Sequence, residues 1–107
     1  MTKVSVMAGP CKFVTVITAE NTADYGQVKV SFTSDCPHYN KGLADEIGTV
    51  DAFCELGMGR DPGIIKDAVA KYAKHATCPV ALAMLKAVEV EASLALPVEP
   101  EIHIEKN

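Results

Sequence analysis

Gln27-Val28-Lys29-Val30-Ser31-Phe32-Thr33 alternates without a break. Val28, Val30 and Phe32 fall on one face, and Lys29, Ser31 and Thr33 on the other. A period of two is that of a strand with one side buried and the other wet. Sheets built from such strands are covered on one face only, which is the habit of antiparallel sheets.

Working outward, residues 3–8 alternate in the same way, with Val4 and Val6 on one face. Gly9-Pro10 turns the chain into a second strand, Lys12 to Ala19, which is β-branched on both faces at Val14, Thr15, Val16 and Ile17. The polar stretch from Glu20 to Gly26 reads as a loop. On the other side of the decisive stretch, Asp35-Cys36-Pro37 opens a helix that carries Leu43 and Ile47 and stops near Gly48. Thr49 to Leu56 reads as a short helix with Val50, Phe53 and Cys54 inward, followed by a flexible break at Gly57-Met58-Gly59-Arg60. Asp61-Pro62 is an N-cap and first-turn pair for a helix whose apolar face runs through Ile65, Val69 and Tyr72 to His75. Thr77-Cys78-Pro79 starts a last helix that Leu96-Pro97 ends, and Ile102 and Ile104 alternate with Glu101, His103 and Glu105 in a final strand. The order β-β-β-α-(α)-α-α-β predicts an α+β two-layer sandwich, an antiparallel sheet with helices on one face, as one domain over residues 1–107.

Hydrophobic residues make up 49% of the 107, so the chain can bury a core without disulfides or a structural metal. Aromatic content is 6%, tryptophan is absent and the net charge is −4, which argues against nucleic acid or an anionic membrane as partner. No stretch is long enough to span a membrane, and the apolar run at the N-terminus is too short for a signal peptide. These features predict a cytoplasmic protein, where thiols stay reduced. Four cysteines there point to metal binding, catalysis or plain burial rather than to a disulfide framework.

Three of the four cysteines adjoin a proline: Pro10-Cys11, Cys36-Pro37 and Cys78-Pro79. Proline fixes φ and holds the neighbouring thiol in a set direction. In a three-strand meander, Cys11 and Cys36 lie at the same sheet edge. A descending and then a returning helix brings Cys78 to that edge as well. The three sulfurs are therefore expected to converge as a thiolate site for zinc or an iron–sulfur cluster. His75, three residues before Cys78, is the leading fourth ligand or supporting donor, with His38, Cys54 or a non-protein group as alternatives. Two other readings stand beside this one. Cys36 or Cys78, each at a helix start, could act as a reactive or redox nucleophile. Alternatively, the cysteines pack as small hydrophobes in a structural module with no site, which is the favoured reading for Cys54.

The remaining signals are weak. His38 in a first helical turn and His103 on the polar side of the last strand read as solvated. Gly57-x-Gly59-Arg60 lacks the Lys-Ser/Thr of a phosphate loop. No serine stands in a nucleophile context, so hydrolase chemistry has no support and the question of an enzyme stays open. Terminal strands that leave a sheet edge free make a homo-oligomer the expected assembly.

Three stretches together resemble a family of small uncharacterised proteins of anaerobic archaea and bacteria. They are Gly9-Pro10-Cys11-x-Phe13-x-Thr15, Ser34-Asp35-Cys36-Pro37, and Cys78-Pro79 with Leu85-Lys86-Ala87-x-Glu89-x-Glu91-Ala92-x-Leu94-Ala95-Leu96-Pro97. The resemblance covers nearly the whole chain and implies that the three cysteines are a family feature. Thr77-Cys78-Pro79-Val80 is also similar to the motif of TSCPD-type domains, departing at Val80 where that motif has Asp. That likeness implies a metal- or thiol-related accessory module.

Overall fold

The computed structural model describes residues 1–107. Strands β1 (Thr2–Met7), β2 (Val14–Asn21), β3 (Gln27–Ser34) and β4 (Thr49–Asp51) form one antiparallel sheet in the order β1-β2-β3-β4. Val4 pairs with Ile17 and Ile17 with Phe32, while Val6 pairs with Thr15 and Ala19 with Val30, so the apolar positions of all three long strands share a face. The opposite face carries Lys3, Ser5, Lys29, Ser31 and Thr33 and is exposed. Helices α1 (Leu43–Ile47), α2 (Ala52–Glu55), α3 (Ile65–Tyr72) and α4 (Val80–Glu91) complete the α+β fold. No helix is long and apolar enough to cross a membrane.

The core is one cluster of 18 buried side chains. Ile17, Val28, Met84 and Val88 are fully enclosed where α4 lies on the sheet, and Leu43 and Ile65 where α1 meets α3. Burying each such side chain stabilises the fold by roughly 1.5–3 kcal/mol. The β2–β3 loop closes on Gly26, whose φ is +86° and whose Cα faces the Phe53 ring so closely that a Cβ would lie 2.9 Å from it. Glycine is therefore required there on both conformational and steric grounds.

Several elements differ from their expected form. The helix expected from Cys36 is split into a 3₁₀ turn, Pro37–Asn40, and α1, because Gly42 (φ +127°) breaks the path between them. Thr49–Asp51 is a strand rather than the start of a helix, since Val50 pairs with Val28 along the open edge of β3. The helix expected from Asp61 begins only at Ile65. The Glu55 carboxylate accepts the Ile64 and Ile65 N–H groups at 2.7 Å each, a cap supplied from a distant residue rather than by Asp61. This helix ends at Tyr72, where Ala73 turns extended (φ −68°, ψ 131°), so His75 leaves the apolar stripe and is exposed. The last helix stops at Glu91, before Leu96. The final strand does not form: residues 97–107 adopt no regular element, and Ile102 and Ile104 lie in solvent. Alternation alone cannot make a strand without a neighbour to supply the hydrogen bonds.

Candidate thiol site

Cys11, Cys36, Cys78, His38, His75 and Tyr39 all line one cavity of about 230 Å³. It lies where the β1–β2 turn, the 3₁₀ turn after β3 and the α3–α4 junction meet.

Each thiol is set by local backbone chemistry. Cys11 occupies the third position of a turn in which the Lys12 N–H donates to the Gly9 carbonyl at 2.8 Å, with Pro10 in the second position that suits its fixed φ. Lys12 then takes a left-handed φ of 59°, and Ala8 N–H closes the loop on the Phe13 carbonyl at 3.0 Å. Cys11 is exposed at the mouth. Cys36, half-buried, leaves β3 in an extended conformation with its N–H donating to Ser34 Oγ at 3.1 Å. Ser34 Oγ is held in turn 2.8 Å from the hydroxyl of buried Thr15. Asn40 Nδ2 donates to the Ser34 carbonyl at 3.0 Å, which pins the same corner. Cys78, also half-buried, donates its N–H to the His75 carbonyl at 3.2 Å, and Pro79 after it leads directly into α4.

The side-chain contact made directly to a thiol is that of the Tyr39 hydroxyl, which donates to Cys78 Sγ at 3.0 Å. Tyr39 is only 2% exposed. Burial, then the hydrogen bond and charge of Cys78, then the charges of Cys36 and Cys11, push the phenol well above the usual tyrosine range. The phenol therefore stays protonated and acts toward the Cys78 sulfur as a hydrogen-bond donor.

The three cysteines and two of the three histidines thus reach one cavity, but they do not close on a point. No three His, Cys, Asp or Glu side chains are gathered into a group that could hold a metal ion as they stand. All four thiols are free. His38, expected to be solvated, is half-buried on the cavity wall, whereas His75 is exposed at its rim. Cys54 lies elsewhere, in a pocket with Gly59 and Arg60, and so is separated from the other donors. That pocket offers no phosphate cradle, since the Glu55 carboxylate already fills the N-terminus of α3. His103 is exposed in the C-terminal tail, 3.5 Å from Glu101.

Sequence reasoning missed Tyr39, Thr15 and Lys74 on the cavity wall. Tyr39 carries a signal only once the segment is known to turn as 3₁₀ rather than as the start of a long helix. It follows Cys36 by three residues, one 3₁₀ turn, a spacing that aligns the two along the turn. No curated protein and no solved structure matches the chain. The model of a family of unknown function (DUF6951) matches residues 2–104, and on that extent the chain belongs to this family.

Proposed function

We propose that the cavity is a thiol site for a thiophilic metal centre, with Cys11, Cys36 and Cys78 as ligands and His75 as the fourth donor. The observation that carries this reading is the meeting of three cysteines from three distant parts of the chain around one small cavity. Thiolates are the soft donors that zinc and iron–sulfur centres select. The donors do not form a closed single-ion group. Zinc and an iron–sulfur cluster both stay open as the centre, since each takes thiolate ligands. Among the chain's own residues, Ser34 and Asn40 fix the Cys36 corner, and Tyr39 donates a hydrogen bond to the Cys78 sulfur. The similarity of Thr77-Cys78-Pro79 to a TSCPD motif points the same way, and such a site belongs in a reducing compartment.

Elemental analysis with a UV–visible spectrum, on protein purified without oxygen, tests the reading. Iron or zinc bound in fixed proportion to the chain, lost in Cys11→Ser, Cys36→Ser or Cys78→Ser variants that remain folded, is the expected result. Colourless, metal-free protein that also fails to take up iron and sulfide on reconstitution overturns it.

A second reading has one specific observation in its favour. Cys78 combines a hydroxyl donor at 3.0 Å with a place just ahead of the 12-residue helix α4. Selective, rapid alkylation of Cys78 in metal-free native protein would support a reactive thiol there. Equal inertness of all four cysteines removes it.

A further inference from the structure

β1 is an edge strand, with nothing paired along its outer side. It has six residues, no proline and a single charge, Lys3, so it carries little of the protection that edge strands normally show. The groove beside it, of about 530 Å³, is walled by β1 on one side and by Leu82, Val98 and Ile102 on the other. Leu82 is 43% exposed, and Ile102 and Ile104 are 75% and 88% exposed.

Residues 101–105 form a second unpartnered feature. Ile102 and Ile104 alternate with Glu101, His103 and Glu105, a period that suits only a strand. Past Leu96 the tail makes a single backbone hydrogen bond, Val98 N–H to the Leu96 carbonyl at 2.8 Å. Pro97 and Pro100 remove two donors from the stretch that lines the groove beside the molecule's own β1, and that stretch makes no backbone hydrogen bond to β1.

An edge without a strand and a strand without an edge, on one chain, complement each other across two copies. We propose that residues 101–105 of one copy add as a strand to the β1 edge of a second copy, and the reverse, in a two-fold dimer. An antiparallel register with Ile104 opposite Val4 and Ile102 opposite Val6 lays both isoleucines on the side where those valines pack against the core. The same register sets Glu105 opposite Lys3 on the wet side, where both are exposed. Charge and hydrophobicity thus agree on one alignment. Exchanged in both directions about a two-fold axis, the contact closes as a dimer, whereas passed on from copy to copy it would make a filament.

Light scattering coupled to size exclusion, at rising concentration of the full chain, reads the assembly. Wild type is expected to dimerise. Ile102→Asp with Ile104→Asp, which alters only solvent-exposed side chains, is expected to weaken association by about tenfold or more while leaving the circular dichroism unchanged. Lys3→Glu alone weakens the dimer by about twofold to fivefold, and adding Glu105→Lys restores it. A wild type that stays monomeric throughout overturns the proposal. So does a double-aspartate variant that associates as tightly as wild type, or a tail that cross-links only to β1 of its own chain.

Discussion

Cys78 and Tyr39 are 39 residues apart, yet the hydroxyl lies 3.0 Å from the sulfur and has no other partner. A donor aimed at sulfur from a buried position is effective because little water competes for it. Hydrogen bonds to a charged group contribute about 1.5–3 kcal/mol, so Tyr39→Phe should slow alkylation of Cys78 at neutral pH by about tenfold. Mass spectrometry of iodoacetamide-treated native protein measures this directly. An unchanged rate would show that the phenol packs against the sulfur without acting on it. The three thiols that line the cavity stand out in the sequence by the Cys-Pro pattern, because proline marks where the backbone is fixed, whereas His38 read as solvated. Tyr39 does not stand out, since its role depends on the chain turning as a 3₁₀ segment rather than as the start of a long helix. His38 and His75 exchanged their expected exposures for the same reason, namely where each helix begins or stops.

At the scale of elements, the three long strands were legible, whereas β4, the expected final strand and the helix ends were not. Alternation in β1 and β3 is set by the residues themselves, whereas the helix ends here depend on backbone turns and side-chain caps that the apolar pattern does not show. The end of α4 illustrates this. Ser93 takes a left-handed φ of 62°, its N–H donating to the Val90 carbonyl at 3.1 Å while Leu94 N–H donates to the Glu89 carbonyl at 2.8 Å. This is a Schellman closure with serine where glycine is preferred, and Leu94 supplies its apolar contact with the core. Ser93→Gly should therefore stabilise the protein by roughly 0.5–1 kcal/mol, the relief of left-handed strain exceeding the added chain entropy. Urea unfolding gives the sign. At the start of α3 the reasoning reverses. Gly63 passes so close to Glu55 that a Cβ would lie 2.7 Å from its Cα, and the carboxylate caps two N–H groups. Glu55→Ala should cost about 1–2 kcal/mol, as loss of a cap does. If instead Asp61 is the working cap, Asp61→Ala will be the costly change and Glu55→Ala will be mild.

The whole molecule is closed at the end opposite the thiols by one carboxylate. Glu91, on the last turn of α4, accepts the Thr2 hydroxyl at 2.8 Å and the Asn21 N–H at 2.9 Å, while Asn21 Nδ2 donates to the Glu91 carbonyl at 2.9 Å. The start of β1, the end of β2 and the end of α4 are thereby joined across 89 and 70 residues of sequence. Burial by itself would raise this carboxyl. The Thr2 and Asn21 hydrogen bonds and the Met1 amine outweigh it and hold the group below the usual carboxylate range. A carboxyl depressed in the folded state contributes stability that is fully present above its unfolded value of about 4.3 and is lost as pH falls through the folded value. Glu91→Gln, which keeps an acceptor but not the charge, should therefore lose about 1 kcal/mol at neutral pH. The gap to wild type should close as the solution is acidified below the unfolded value. Urea unfolding of both proteins across that range decides the matter. A constant gap would mean that the side chain matters through its shape and packing alone, and that the charge does not hold the sheet and α4 together.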